Sequence, residues 1–413
     1  MHERNASVAV DGTGENDALP VRRGTPAEVF AAFLKLGLTS FGGPIAHIGY
    51  FRRELVERRQ WIDETEFARV LALCQFLPGP ASSQLGFSLG LLRAGWLGAF
   101  AAFAAFTLPS ALLLFAFAQA VPLMSGDAAQ ATIHGLKLVA VAVVAHGVLG
   151  MARALCPDAA RATIAGVAAA AILVTGEAWT QLLVVVLGAL AGLVACRGVR
   201  PPAADASLRL PYGLRVGTAL LAAFALLLFG LPLAAHALDG VVAVFEAFYR
   251  AGALVFGGGH VVLPLLRESV VAPGWISESD FLAGYGAAQA VPGPLFTLST
   301  YLGARLVGSE GGALGACVAL VAIFLPGFLL VAGALPWWRS IGHALAAARA
   351  VAGVNAAVVG LLGAALYDPV WTSAVRGRLD VAIVAIGFTL LAAWRASPIV
   401  VVAWCVVAAL ATA

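Results

Sequence analysis

The sequence predicts an all-α polytopic membrane protein made of two homologous halves. It reads as an inverted repeat, with helices that are broken or re-entrant at Gly-Gly and Pro-Gly-Pro motifs. Three observations predict this. Hydrophobic residues make up 61% of the 413-residue chain and charged residues only 11%, whereas a soluble domain runs nearer about 45–50% and ~25%. The mean hydropathy is +0.93, and apolar runs approaching the ~20 residues a helix needs to cross a bilayer recur throughout. Ordered Gly, Pro, Gln and Trp residues of the first half also return in the second. The composition excludes a cytosolic enzyme, a secreted disulfide scaffold and a disordered chain. It also argues against nucleic acid as a partner. The 25 Lys and Arg exceed the 22 acids by only three, and they are spread thinly instead of forming one patch.

In chain order, residues 1–29 are a disordered polar tail. They carry no apolar core of the kind a signal peptide has. Residues 30–197 form the first repeat, with segments at about 30–50, 67–92, 96–120, 134–153, 162–176 and 179–196. The last two are short and meet at Gly176-Glu177, as a tilted hairpin or as two full spans. Residues 198–240 hold a linker and an unpaired transmembrane helix at 215–236. Residues 241–413 form the second repeat, with segments at about 241–265, 280–306, 312–335, 346–367, 379–394 and 396–412. Runs this long and uniformly apolar exclude a β-barrel, whose strands alternate in character. Cys74, Cys156, Cys196, Cys317 and Cys405 are scattered, without a CxxC or a Cys/His cluster. They read as small core residues, so no metal and no cofactor is expected.

The duplication is read from ordered matches. A shift of 215 pairs Phe33 with Phe248, Lys35 with Arg250, Gly37 with Gly252, Phe41 with Phe256 and Gly42-Gly43 with Gly257-Gly258. A shift of 214 then pairs Trp61-Ile62 with Trp275-Ile276, Phe67 with Phe281, and QFLPGP (75–80) with QAVPGP (289–294). One unpaired crossing between the halves turns the second upside down, the plan of many secondary transporters. With the N-terminus inside, Arg22, Arg23, Arg93, Arg153, Arg161, Arg197, Arg200, Arg209 and Arg215 fall on the cytoplasmic side, in line with the positive-inside rule. Arg52, Arg53, Arg58 and Arg59 fall outside if the first segment crosses. If the motif segments dip in and return, the 52–59 loop and the 198–212 linker both face the cytoplasm and the 266–279 loop faces outward. Both readings stand at this point.

The motifs carry the chemistry. Two prolines around a glycine interrupt a helix, and interrupted backbone at membrane depth is tolerated only where it is buried in protein or lines an aqueous cavity. Pro78, Gly79 and Pro80, with their copies Pro292, Gly293 and Pro294, therefore mark either a packed kink or a substrate site; the repetition favours the site. Gly42-Gly43 and Gly257-Gly258 allow close approach of backbone, and N–H groups at a helix start favour an anion. Tight helix packing is the alternative. Lys35 and Arg250 stand beside these runs, and a charge within a membrane segment is a functional candidate, although either can snorkel from near its helix start. Arg250 has Glu246 four residues earlier on the same face; Lys35 has no such neighbour on its helix. Gln75 and Gln289 precede the two breaks at identical spacing and can donate to an oxyanion or cap freed carbonyls. Glu246 and His260 are the candidates for a proton relay. His47 and His260 do not align between the halves, and a satisfied helix histidine is the plainer account of each.

Together FGGP (41–44), QFLPGP (75–80), FGGG (256–259) and QAVPGP (289–294) resemble the motifs of the chromate ion transporter family, specifically its long two-domain bacterial type. The resemblance covers about residues 30–410. FGGG in place of FGGP in the second half is a departure, consistent with unequal jobs for the two halves. The resemblance implies efflux of chromate, a tetrahedral oxyanion similar to sulfate, chromate resistance, and a multi-pass place in the bacterial inner membrane. The expected partners are thus a chromate- or sulfate-like oxyanion and the lipid bilayer, with a homodimer left open. Physics favours export independently. An inside-negative potential of 100 mV contributes ~4.6 kcal/mol to a leaving dianion, or roughly three decades of concentration. An uptake carrier for sulfate or another small oxyanion is the alternative. A membrane-embedded enzyme is the rival from another class, but the chain has no HExxH or paired intramembrane Asp motif, and no P-loop.

Overall fold

The structure, a computed structural model, describes residues 24–176, 178–199, 210–237, 240–256, 259–308, 310–338 and 344–412. Among them the chain is helical, without strands. The first half comprises α1 (Pro26–Thr39), α2 (Gly43–Phe51) prolonged by a π-helical turn over Arg52–Arg58, α3 (Glu64–Phe76), α4 (Ala81–Ala120), α5 (Asp127–Leu155), α6 (Ala159–Thr175) and α7 (Ala178–Ala195). Helix α8 (Leu214–Ala237) follows alone. The second half comprises α9 (Val241–Ala253), α10 (Val262–Leu266) prolonged by a π-helical turn over Arg267–Val271, α11 (Glu278–Ala288), α12 (Leu298–Arg305), α13 (Gly312–Ala334), α14 (Leu345–Ala365), α15 (Arg378–Ala392) and α16 (Pro398–Ala411).

The segments carrying the motifs are helical hairpins. Nineteen residues of straight helix rise about 28 Å, yet Lys35 and Glu54, 19 residues apart, make an ion pair at 2.9 Å. Phe33 and Phe51 likewise meet edge to face, with ring centroids 5.4 Å apart. The chain therefore reverses at residues 40–42, and α2 returns beside α1. A second reversal follows at the Pro-Gly-Pro break. Helix α4 is two limbs, interrupted at Ala94 (φ −138°) and Gly95 (φ +67°). Arg93, at the end of the first limb, reaches Glu28 at 3.2 Å, and Trp61 Nε1 donates to the same carboxylate at 2.9 Å. The mouths of both hairpins thus share one face. The second half repeats the pattern. Arg267 pairs with Glu278 at 2.9 Å and Arg305 with Asp280 at 3.1 Å, while Val307 donates to the Trp275 carbonyl at 3.0 Å.

Local structure repeats at the same offset. Asp63 caps α3 by accepting from the Glu66 amide, and Ser277, 214 residues on, caps α11 by accepting from that of Asp280. Gln60 and Gly274, an offset pair, both have positive φ. A carboxylate or hydroxyl at these N-caps takes one of the otherwise orphaned N–H groups of a first turn. The long central helices are antiparallel. Trp96, opening the second limb of α4, stacks on Tyr212 at 5.0 Å, and the Tyr212 hydroxyl donates to the Ala332 carbonyl near the end of α13. Phe103 of α4 meets Phe324 of α13 at 5.2 Å between them.

Among the described residues five helices are long and apolar enough to cross a membrane: Ala81–Leu123, Asp127–Leu155, Leu214–Ala235, Gly312–Trp337 and Leu345–Ala374. Helix α8 presents Leu226, Phe229 and Leu233 at 72–75% exposure. Side chains of this size facing outward along one helix are the surface of a protein in lipid. Inside, glycines bring helices together. A methyl built on Gly252 of α9 would strike the Ile323 carbonyl of α13, and the same holds for Gly286 of α11 against the Leu136 carbonyl of α5. Gly166 of α6 has nothing within 4 Å. Gly252→Val should therefore cost about 1–3 kcal/mol by overpacking and lower the detergent-solubilised melting temperature and monodisperse yield. Gly166→Val, by comparison, should leave both unchanged.

Candidate functional site

The hairpins of the two halves meet tip to tip. The Gly79 N–H donates to the Val255 carbonyl at 2.7 Å, and the Gly293 N–H donates to the Ser40 carbonyl at 2.9 Å. These two bonds are copies of each other, since Gly79 and Gly293 differ by 214 and Ser40 and Val255 by 215. Each Pro-Gly-Pro tip is thus satisfied by the break of the opposite half. Both glycines are left-handed, with φ +121° and +104°, a conformation that only Gly adopts without cost. A methyl on Gly79 would stand 2.9 Å from Gln84 Nε2 and 3.1 Å from Gly327 Cα; one on Gly293 would stand 2.9 Å from Ser110 Oγ. Alanine at either glycine would therefore meet backbone strain and close contact together.

The breaks expose helix starts. Gly42 begins α2, Pro80 begins α4 and Pro294 begins the turn before α12, all without a side-chain cap. Their free N–H groups leave partial positive charge at the tips. Gly42 is exposed, and a methyl on Gly43 (φ +77°) would meet nothing within 4 Å. Backbone at Gly42-Gly43 therefore borders open space. The second half lies alongside, because a methyl on Gly259 would stand 3.2 Å from Pro44. Gly257 and Gly258 lie outside the described residues.

Buried polar atoms gather near the tips. Ser40 Oγ, His47 Nε2, Ser83 Oγ, Thr107 Oγ1 and Gln289 Nε2 are buried without a hydrogen-bond partner. His47 is fully buried, with Nδ1 3.4 Å from Ser82 Oγ and its ring edge-on to Phe106. His260 Nδ1 lies 2.7 Å from the Tyr285 hydroxyl. Gln75, by contrast, is exposed on the last turn of α3. Gln84 does what was expected of Gln75. Its Nε2 donates to the Pro78 carbonyl at 2.9 Å and to the Gly327 carbonyl at 3.1 Å, tying the first tip to α13. A Gln four residues past the Pro-Gly-Pro break, at the head of an apolar segment, was the available signal for it.

The cations sit at the hairpin mouths, not at the tips. Lys35 has no acid four residues away on its helix, and Glu54 from the returning limb supplies its partner. Glu54 also takes Arg59 at 2.8 Å and Arg58 at 3.3 Å. Arg250 pairs with Glu246 at 2.7 Å, as the helical spacing implied. It opens onto a cavity of about 600 Å³ lined also by Glu246, Glu268, Ser269 and Trp275. Among the described residues no cluster of three or more His, Cys, Asp and Glu stands at metal-binding distance.

Glu54 lies outside the spanning segments and has a definite pH signature. Burial alone would raise its carboxyl, but hydrogen bonds from Lys35 and Arg59 and the charge of Arg58 outweigh burial and hold it at about 2. Its contribution to stability is present above the ordinary carboxylate range and is lost as pH falls from about 4.5 toward 2. Glu54→Gln should destabilise the protein by roughly 1–3 kcal/mol at pH 7, allowing for its half-exposed partners. Melting curves should show the gap to wild type steady from pH 7 to 5 and narrowing below that.

With this geometry in hand, comparison with known proteins is direct. The chromate transporter family model matches residues 27–193 and, separately, 242–410. A probable chromate transport protein of Synechococcus elongatus is 33% identical over 81% of this chain and 82% of its own. A chromate transport protein of Pseudomonas aeruginosa is 32% identical over 94% of this chain and 92% of its own. An uncharacterized transporter of Methanocaldococcus jannaschii is 26% identical over 80% and 81%. No solved structure matches the chain significantly. Two matched regions separated by the lone helix α8, and relatives that align over nearly their whole length, place this multi-pass membrane protein in the chromate transporter family.

Proposed function

We propose that the chain is a secondary transporter that exports chromate across the bacterial inner membrane and so confers chromate resistance. In this reading residues 30–197 and 241–413 are the two repeats, inverted about a mid-membrane axis, and 198–240 connects them. The motif hairpins re-enter from opposite faces. The substrate dianion is held where the tips meet, by the free N–H groups at the starts of α2 (Gly42-Gly43) and α4 and of the turn that follows Pro294, with Gln289 adding an amide donor, while the Pro78-Gly79-Pro80 and Pro292-Gly293-Pro294 breaks lock the two tips together. The observation that carries the reading is the exchanged pair of hydrogen bonds, Gly79 to Val255 and Gly293 to Ser40. Neutral donors and helix starts suit a dianion that must also leave, because a site of full positive charges would retain it. Lys35 and Arg250, each bound to a carboxylate, guard the approaches.

Sidedness follows from charge. The face bearing the mouths of the first-half hairpins holds Arg52, Arg53, Arg58, Arg59 and Arg93, whereas the opposite mouth brings Arg267 and Arg305 together with Glu268, Glu278 and Asp280. The arginine-rich face is taken as cytoplasmic.

Purified protein in vesicles, with the membrane potential clamped by a potassium gradient and ionophore, tests the function. Chromate should leave the cytoplasmic side faster as that side is made negative, with sulfate as a weaker competitor. Sulfate moving inward in preference, or chromate flux indifferent to potential, would replace export with the uptake reading. Gly43→Ala is the informative variant for the site, since its methyl meets no atom of the described residues within 4 Å. It should fold, at an αL cost of about 1–2 kcal/mol, yet lose most chromate flux per molecule. Undiminished flux would remove the α2 start from the path.

A further inference from the structure

The duplication sets two ion pairs in correspondence, and the structure treats them unequally. Lys35 corresponds to Arg250 at a shift of 215, and Glu54 corresponds to Glu268 at a shift of 214. In the first half the pair is closed at 2.9 Å, binding α1 to the returning limb of its hairpin. In the second half Arg250 is held instead by Glu246 of its own helix at 2.7 Å, and no ion pair reaches Glu268 among the described residues. The place where the equivalent pair would close is hollow. Arg250, Glu268 and Ser269 line both the cavity of about 600 Å³ and a second one of about 150 Å³. The smaller cavity extends inward past Leu254, the residue where α9 ends before the break, and reaches Gln181 of α7 and Val358 of α14.

We infer that Lys35–Glu54 and Arg250–Glu268 are alternating locks at the two hairpin mouths, the first closed and the second open in this structure. The inference rests on the inverted arrangement proposed above. Two halves of one ancestry, in opposite orientation, exchange conformations when access to a shared central site switches sides. The conformation of each half is thus a template for the other. Closing the second lock requires Arg250 to leave Glu246 and take Glu268, sealing the hollow between α9 and the 267–271 turn. Opening the first requires Lys35 to release Glu54, which Arg58 and Arg59 continue to neutralise. Glu246 has no counterpart in the first half, where that position is Ala31. It acts as the competing acceptor that keeps the outer lock open. Arg267, beside Glu268 in sequence, is engaged by Glu278, and Arg305 by Asp280, so among the described residues lining the cavity Arg250 is the cation left to exchange.

The test reads access, not transport, and so stands apart from the identity of the substrate. Leu254→Cys, in a chain with its five native cysteines replaced, is labelled in intact cells by a small membrane-impermeant methanethiosulfonate. Glu246→Gln removes the competitor and should slow labelling about tenfold, the effect of shifting a two-state equilibrium toward the closed lock. Adding Glu268→Gln should restore the rate, which a merely structural defect at Glu246 would not allow. Glu54→Gln, on the other face, weakens the inner lock and should slow Leu254→Cys labelling as well, giving an independent reading if Glu246→Gln fails to fold. An unchanged rate in Glu246→Gln, a slowing that Glu268→Gln does not reverse, or no slowing in Glu54→Gln would overturn the assignment.

Discussion

A backbone N–H without a partner costs several kcal/mol in hydrocarbon, and four breaked helices would incur that cost at their most deeply placed residues. The rest of the molecule depends on how it is avoided. Gly79 and Gly293 each donate to a carbonyl of the opposite half. Gln84 covers the Pro78 carbonyl as well as that of Gly327. Neither half satisfies the glycine N–H of its own tip. This makes the two repeats mutually dependent, and it fixes the Pro-Gly-Pro turns against the second limb of α4 and against α13. Only glycine fits there, because φ is positive and the neighbouring helix is already in contact.

Charge is handled by the same economy of partners. Lys35, Arg250, Arg267 and Arg305 at the hairpin mouths each have a carboxylate, and the tips themselves rely on neutral dipoles. On the proposed function, a dianion arriving at the tips would meet N–H groups and hydroxyls without having to break an ion pair there. The ion pairs lie nearer the surface, where making and breaking them costs less than it would at depth. On the two proposals above, binding and gating are separated in space, which is what a carrier needs if the substrate is to be released on either side.

Much of this was legible in the sequence. Helical class follows from composition, and the repeat from Gly, Pro, Gln and Trp, residue types whose backbone or polar roles survive when Leu, Val and Ala drift. Arg250–Glu246 was legible because i,i+4 spacing needs only a helix. Lys35–Glu54 was not, because it exists only if the chain reverses between them, and the Gly-Gly break with the arginines of the 52–59 loop hinted at reversal without naming the partner. Gln84 was passed over for Gln75, which has the repeat spacing but points outward. The exchanged hydrogen bonds are main-chain contacts between residues more than 170 positions apart, and no side-chain pattern encodes them.

The central claim is that the motif hairpins of the two halves enter from opposite faces and meet. Its most direct test is the sidedness of two exposed turns, with Glu57→Cys in the first half and Ala272→Cys in the second, each in a cysteine-free chain in intact cells. Glu57→Cys should resist an impermeant thiol reagent until the membrane is opened, and Ala272→Cys should react at once. Reaction of both positions from the same side would contradict the inverted arrangement and the shared site built on it.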